Sequence, residues 1–400
     1  MKISSPAVSA AIIFAGLLLA YVYRATFPLY AIVFSSLFLS IFLFALSIKR
    51  GAWVVHNLAF VFLTLAVAEL YFEYKNEFDM VDGPTLYPHL IDSQNGLGYV
   101  ATAGTFRAVA TYGFGTHVVY DVRYSIDKNG LRIAPDSLKQ NGPTVMFFGD
   151  SFTFGEGVND EDTLPNAFSI ASGMRILNFG LNGYGPHHML RLLELDAPKR
   201  VTSISPYLMV YTAIEEHINR AAGRAEWDDN GPLYEVRNGR AHYVGPFNEH
   251  NMGCNPNAIK RSVMERLLLY SHIWRAYIGR NLYCPAPNDP NTANRDRTRF
   301  LEIVKSVNLI AHQNYHSGLL VILWDIGPKR DAARQNINWI EAKLLENNIP
   351  TLKLSNEIKD DDFNKFIIGR DSHPNPKAYR AVAQMVLSWL KKNPTMSSLQ

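Results

Sequence analysis

The stretch Thr144–Gly157, TVMFFGDSFTFGEG, decides the fold expected for this chain. It begins with Val145–Phe148, an uninterrupted apolar run that is typical of a strand buried on both faces of a parallel sheet. The run ends at Gly149-Asp150-Ser151, so a serine directly follows a buried strand. Open α/β sheets bind their ligands at this carboxyl edge. The stretch therefore predicts a parallel sheet that presents Ser151 at a ligand site, with an inert Gly-Asp-Ser turn as the alternative.

Further short apolar runs alternate with segments that favour helices. The other predicted strands of the sheet are Arg175–Phe179, Tyr207–Tyr211, Leu319–Trp324 and Thr351–Leu354. The predicted helices are Pro165–Ser172, His187–Leu195, Ile259–Tyr277, Asp296–Tyr315, Asn336–Asn347 and Pro376–Lys392. Strands alternating with helices favour a parallel, doubly wound α/β sheet. Before this sheet, the alternating segment Val118–Ile126 predicts a small β-rich region with a structural role.

The first 73 residues contain three apolar segments, near Ala7–Tyr23, Phe27–Ile48 and Ala52–Phe72. Each is close to the ~20 residues that an α-helix needs to cross a bilayer. The segments carry very few ionisable side chains, which makes a buried hairpin in a soluble protein the weaker alternative. The sequence therefore predicts three N-terminal transmembrane helices.

Basic residues set the predicted orientation of these helices. Lys2 precedes the first one, and Lys49-Arg50 separate the second from the third, whereas only Arg24 lies between the first and second. The positive-inside rule then places the N-terminus in the cytoplasm. Three spans send the rest of the chain across the bilayer. We expect a multi-pass protein of the cytoplasmic (inner) membrane with its main domain on the external or periplasmic side.

These patterns divide the chain into a transmembrane region at 1–73, a linker with the small β-rich segment at 74–140, and an α/β domain at 141–400. The last part contains an insertion around 221–260, rich in Gly, Asn, Asp and aromatic residues, which is expected at the surface. The formal net charge of +3 predicts no nucleic-acid surface. The sequence has no Walker phosphate loop, zinc-type Cys/His spacing or HExxH motif, so we expect no cofactor and no metal.

Four loops of the α/β domain are expected to meet at one edge of the sheet. They contain Ser151, the glycine-rich loop Gly180–Gly185, Thr212–His217, and Asp371–His373. Acyl chemistry at a hydroxyl needs a base, a group that orients the base, and donors for the oxyanion. Ser151, His373 and Asp371 supply the hydroxyl, the base and the orienting group. The backbone N–H groups of Ser151 and Gly183 can serve as donors.

Three of these segments, GDSFTFGEG, NFGLNGYG and DSHPN, resemble blocks one, two and five of the SGNH/GDSL hydrolase superfamily, in the same order. The resemblance covers Thr144–Lys392. It implies a flavodoxin-like α/β/α sandwich and an esterase, lipase, thioesterase or carbohydrate acetylesterase activity. It also implies that Ser151 is the nucleophile, Gly183 an oxyanion donor, His373 the base and Asp371 its partner.

Two departures from the family pattern affect the expected site. The family commonly places its acid three residues before the histidine, where this chain has Arg370, so the acid is assigned to Asp371 at the shorter spacing. The third block usually reads Gly-x-Asn-Asp, whereas this chain reads Thr-Ala-Ile-Glu-Glu at 212–216. The asparagine that donates to the oxyanion is therefore missing. His217 is the candidate replacement, with Asn219 as the alternative.

Other polar residues near these loops have plainer interpretations. Asp150 is expected to be a structural acid of its loop, and the His187-His188 pair a surface feature at a helix start rather than a metal site. Glu215 and Glu216 are either solvated acids at a helix start or site residues. The two cysteines, Cys254 and Cys284, can form a disulfide if the domain lies in an oxidising compartment, and two free thiols are the alternative.

Two classes of function follow. The first is a membrane-anchored serine esterase or acyltransferase that acts outside the cytoplasmic membrane through an acyl-enzyme on Ser151. Its expected partners are an acylated small molecule or cell-envelope polysaccharide as substrate, and the lipid bilayer. The second is a non-catalytic carbohydrate-binding or polysaccharide-assembly protein that retains the fold. The altered third block favours the second class, and the intact set of Ser151, Asp371 and His373 opposes it.

Overall fold

The structure is a computed structural model that describes residues 57, 60–69, 71, 90–93, 96–225, 227–250, 290–326 and 331–393. The chain divides into two compact units. In the first, residues 60–69 are helical. The second comprises Val81–Ala258 and Pro287–Gln400 and contains every strand and numbered helix below. It includes residues from the predicted linker and β-rich segment as well as from the α/β domain.

The strands of the second unit are β1 (Leu90–Ser93), β2 (Gly98–Ala101), β3 (Gly104–Tyr112), β4 (His117–Ile126), β5 (Thr144–Phe148), β6 (Arg175–Asn178), β7 (Leu208–Ala213), β8 (Pro232–Arg237), β9 (Arg240–Pro246), β10 (Gly318–Leu323) and β11 (Thr351–Lys353). The α-helices are α1 (Ser151–Phe154), α2 (Leu164–Ser172), α3 (Pro186–Glu194), α4 (Ala197–Val201), α5 (Glu216–Ala221), α6 (Pro290–Tyr315), α7 (Asp331–Glu346) and α8 (Pro376–Lys392). Short 3-10 turns connect several of them.

The centre of the unit is a five-stranded sheet with the order β11-β10-β7-β5-β6. All four strand pairs are parallel. Every residue of β5, β7 and β10 is buried, because helices cover both faces of the sheet. If these five strands are renumbered 1 to 5 in chain order, their order across the sheet is 2-1-3-4-5, which is the flavodoxin-like arrangement. The predicted parallel α/β sheet is confirmed.

Alternate residues of β5 point into two separate hydrophobic clusters. Val145 and Phe147 belong to the cluster that contains side chains of α2 and α8. Met146 and Phe148 belong to the cluster formed with α3, α6 and α7. This alternation follows from the period of two along a strand and produces the three-layered α/β/α sandwich.

The antiparallel pair β3–β4 precedes the sheet and is attached to the loop that follows α1 by hydrogen bonds from two backbone N–H groups of β4. Arg132, which follows β4, strengthens this attachment. Its guanidinium is fully buried and donates to the carbonyl oxygens of Phe154, Gly155 and Val158. Arg132 Nε also lies 3.1 Å from Asp160. The β-rich segment therefore has a structural role, as predicted: it holds the backbone just after Ser151 in place.

The inserted region contains the antiparallel hairpin β8–β9. It was expected at the surface, but Asp228, Leu233, Tyr234 and Phe247 within it are buried. Tyr234 donates to Glu194 on α3 at 2.7 Å. The insertion is therefore packed against the α/β core rather than being only a surface loop.

Several predictions lie outside the described residues. These include the spans Ala7–Tyr23 and Phe27–Ile48, the helix Ile259–Tyr277, and the pair Cys254 and Cys284. The third span, Ala52–Phe72, is described only at 57, 60–69 and 71. Within the described part of the chain, no helix combines the length and the apolar character that crossing a bilayer requires. The spans and their orientation stay predictions.

Candidate active site

The loop between β5 and α1 positions Ser151. Gly149 has a φ of 150°, and a Cβ there would lie 2.3 Å from Thr153 Oγ1, so only glycine fits. Asp150 caps α1 by accepting from the Phe152 N–H at 3.0 Å. Ser151 is consequently the first residue of a short helix at the carboxyl end of a buried strand, the edge at which the sequence placed it.

The loop before α8 brings the predicted base and acid to Ser151. His373 Nε2 lies 2.8 Å from Ser151 Oγ, and His373 Nδ1 lies 2.7 Å from Asp371 Oδ2. Ser372 has a left-handed φ of 64°, which turns the chain so that residues two apart can face each other. Asn375 caps α8 and donates to the carbonyl oxygens of Lys365 and Ile367, which fixes the loop. The geometry is that of a serine, an imidazole and an orienting carboxylate.

A second carboxylate, from Glu156, also faces the imidazole. Glu156 Oε2 lies 3.4 Å from His373 Nε2, on the side of Ser151. Burial alone lowers the pKa of His373, but the hydrogen bond with Asp371 and the charge of Glu156 outweigh it and raise this pKa to about 9. Sequence reasoning missed Glu156. Its only signal was an acid between two glycines directly after the serine helix.

The glycine-rich loop Gly180–Gly185 lies beside α1. Asn178 Nδ2 donates to the Thr153 carbonyl oxygen at 3.1 Å, and Asn178 Oδ1 accepts from the Gly180 N–H at 3.0 Å. Gly183 has a φ of 80°, and a Cβ there would lie 2.4 Å from Trp227 Nε1. Among the described residues, no hydrogen bond uses the N–H of Ser151 or of Gly183. Both donors assigned from the sequence are thus available to an oxyanion.

His217 does not have the geometry expected of a third oxyanion donor. It is fully buried, its Nδ1 lies 2.5 Å from the Tyr211 hydroxyl, and its Nε2 lies 3.2 Å from Asp150 Oδ2. A neutral imidazole has one N–H, and here both ring nitrogens already have partners. The geometry therefore assigns His217 to the support of Asp150. Asn219, the alternative, lies on α5.

Asp150 is a structural acid, as expected, and Arg220 is a supporting residue that sequence reasoning missed. Arg220 Nη1 lies 3.1 Å from Asp150 Oδ2 and donates to the Tyr184 carbonyl oxygen at 2.8 Å. Burial alone raises the pKa of Asp150, but the His217 hydrogen bond and the Arg220 charge hold it below its ordinary value. The ionised Asp150 links the serine loop to α5 and to the glycine-rich loop.

The two acids of the third block, for which the sequence left a solvated helix start and a site role open, lie at the beginning of α5. Glu215 is half-buried at the start of this helix, and Glu216 is exposed. The exposure of Glu216 agrees with a solvated acid at a helix start.

The pair His187-His188 is buried, which corrects its expected surface position. His187 Nε2 lies 2.9 Å from Asp228 Oδ2, and His188 Nε2 lies 3.2 Å from Asp228 Oδ1. Burial lowers the pKa of His187 to about 3, so this ring is neutral. The ligand atoms of the three side chains lie within 4.8 Å of one another and could hold a metal ion. The same is true of Glu156, Asp371 and His373, whose polar atoms are already used in the serine site.

Comparisons with known proteins give the following result. No protein-family model matches the sequence, and no curated protein matches it. Among solved structures, a protein described as lipolytic and of the G-D-S-L family from Desulfitobacterium hafniense is similar, with 13% identity, 61% of this chain and 98% of that chain covered, and a TM-score of 0.35. The esterase EstA from Pseudoalteromonas has 12% identity, coverage of 62% and 97%, and a TM-score of 0.32. A catalytic variant of the acetylxylan esterase Axe2 from Geobacillus stearothermophilus has 11% identity, coverage of 62% and 94%, and a TM-score of 0.34. These low scores carry no functional argument, so the conclusion below depends on the geometry of the site.

Proposed function

We propose that this chain is a serine-dependent ester hydrolase or acyltransferase. The observation that carries the proposal is the continuous set of contacts from Ser151 Oγ to His373 Nε2 at 2.8 Å and from His373 Nδ1 to Asp371 at 2.7 Å. This arrangement lets the imidazole accept the serine proton while the carboxylate holds the ring in the required orientation.

In the first half-reaction, Ser151 Oγ attacks the carbonyl carbon of the ester and its proton moves to His373 Nε2. The oxyanion that forms is assigned to the N–H groups of Ser151 and Gly183, which stabilise the developing charge. The intermediate collapses when the bond from the carbonyl carbon to the leaving oxygen breaks. His373 Nε2 donates its proton to that oxygen, and an acyl ester on Ser151 remains.

In the second half-reaction, His373 takes a proton from an incoming hydroxyl group, which attacks the carbonyl carbon of the acyl-enzyme. The bond from that carbon to Ser151 Oγ then breaks, and His373 Nε2 returns the proton to Ser151 Oγ. Water as the attacking group gives hydrolysis, whereas a sugar hydroxyl gives transfer. We propose acylated small molecules or cell-envelope carbohydrate as substrates, because the predicted N-terminal spans would place the site outside the cytoplasmic membrane. That location and the bilayer partner belong to the proposal.

Ester turnover by the purified protein tests the function. Ser151→Ala and His373→Ala should each lower kcat by about 10⁴-fold or more, and Asp371→Asn should cost less because it only misorients the imidazole. Ser203→Ala, at an exposed serine, is the matched control and should retain activity. Wild-type turnover in Ser151→Ala contradicts the proposal. A folded wild-type protein that turns over no ester favours the non-catalytic carbohydrate-binding or assembly role.

A further inference from the structure

The backbone and neighbouring side chains hold Glu156 in a fixed position beside the reacting atoms. Its backbone N–H donates to the Ser151 carbonyl oxygen at 3.0 Å, and its neighbours Gly155 and Gly157 both have left-handed φ values, of 90° and 78°. Its side chain is only 15% exposed. The turn after α1 therefore directs this carboxylate toward the catalytic imidazole.

Side chains from two other elements hold the Glu156 carboxylate in place. Asn182 Nδ2, on the glycine-rich loop, donates to Oε2. The Tyr120 hydroxyl, on β4, lies 3.4 Å from Oε1. Together with the 3.4 Å approach of Oε2 to His373 Nε2, these contacts fix the carboxylate from three sides.

This position is electrostatically unfavourable for an acid. Burial raises the pKa of Glu156, and the negative charge of the nearby Asp371 raises it further, although the charge of His373 opposes them. Asp371 already orients the imidazole at Nδ1, so the triad is complete without a second carboxylate. A largely buried second acid, at the imidazole nitrogen that faces the serine, indicates a role in binding the substrate.

The place of the leaving group defines that role. The leaving oxygen must lie within hydrogen-bond distance of His373 Nε2 to receive its proton, about 2.6–3.2 Å away. Glu156 Oε2 lies 3.4 Å from the same nitrogen. A hydroxyl on the carbon next to the ester can therefore donate to Glu156 while the leaving oxygen accepts from His373.

We infer that Glu156 forms a hydroxyl-binding subsite that selects esters carrying a free hydroxyl on the adjacent carbon, as in a partly acylated sugar. This inference rests on the proposed serine acyl chemistry. A hydrogen bond from a hydroxyl to a carboxylate is charge-assisted and so is stronger than one to a neutral acceptor. When a sugar hydroxyl attacks the acyl-enzyme, the Glu156 carboxylate can likewise accept a hydrogen bond from the neighbouring hydroxyl of that sugar.

The test compares two acetate esters, ethylene glycol monoacetate and the same ester with its free hydroxyl methylated, which removes the donor and adds one methyl group. The wild-type protein should prefer the free hydroxyl by about 10–100-fold in kcat/KM, the range for a hydrogen bond to a charged group. Glu156→Met, which removes the acceptor, should reduce this preference to near unity. Glu156→Gln, which keeps a neutral acceptor, should give an intermediate preference. Glu161→Met, at an exposed glutamate, is the matched control.

The ratio of the two kcat/KM values separates binding from a structural role. A structural role would lower turnover of both esters by the same factor and leave the ratio unchanged, which overturns the inference. Equal turnover of the two esters by the wild type also overturns it. If Glu156→Met does not fold, the intermediate ratio in Glu156→Gln decides. If the wild type turns over the methylated ester and Ser151→Ala does not, the proposed function is supported independently of the subsite. If the wild type turns over neither ester, both the proposed function and the subsite are overturned.

Discussion

At the scale of single residues, His373 has carboxylates at both ring nitrogens. Asp371 lies 2.7 Å from Nδ1, and Glu156 lies 3.4 Å from Nε2. The sequence predicted Asp371 because the DSHPN motif contains both residues. It did not predict Glu156, because its approach to the imidazole depends on the turn between Gly155 and Gly157 and on Asn182. The partners of His217 were not predictable from its own segment either, because one of them, Asp150, lies 67 residues earlier in the chain.

The two carboxylates predict an alkaline activity profile. Only the neutral imidazole can accept the serine proton, and the pKa of His373 is raised to about 9. We therefore expect kcat/KM to be low at pH values below this pKa and to increase as the pH rises through it. Glu156→Gln removes one of the charges that raise the pKa and should move the rise to lower pH. Profiles of kcat/KM against pH for both proteins check this. An identical profile in the variant would rule out the electrostatic coupling of Glu156 and His373.

At the scale of elements, the apolar runs predicted β5, β7 and β10 because a strand covered on both faces must be apolar throughout. The edge strands β6 and β11 are only partly buried and were predicted from shorter, mixed runs that alternate with helices. Helix α8 was predicted at its observed bounds, from Pro376 onward. The burial of His187 and His188 was not predictable in this way. Their partner Asp228 lies about 40 residues further along the chain, in the insertion. Without that partner, the polarity of two adjacent histidines favours a position at the protein surface.

The attachment of the β3–β4 pair to the serine loop should be a major contribution to stability. Arg132→Met removes the donor to three buried carbonyl oxygens and the guanidinium that pairs with Asp160, and should lower the free energy of unfolding by about 3–5 kcal/mol. Arg123→Met, at an exposed arginine on β4, should change it by less than about 0.5 kcal/mol. Urea unfolding of the purified protein measures both. Equal effects of the two substitutions would contradict the anchoring role of Arg132.

At the scale of the whole molecule, the sequence predicts that three spans carry the second unit across a membrane. The motivating residues are Lys2 and Lys49-Arg50, which flank the spans on the side predicted to be cytoplasmic. A reporter that is active only outside the cytoplasm, fused after Gln400, should be active. Activity confined to a cytoplasmic reporter at the same position would reverse the orientation or change the number of spans.

The most direct test of the central claim is the reactivity of Ser151 toward a fluorophosphonate, which reacts preferentially with activated serines. The wild-type protein should gain one adduct per chain, located by mass spectrometry on the peptide that contains Ser151. His373→Ala should react far more slowly, because the imidazole that activates Ser151 at 2.8 Å is gone. Ser203→Ala should react like the wild type. An unmodified wild-type Ser151 in the folded protein, or undiminished labelling of Ser151→Ala, would contradict the account.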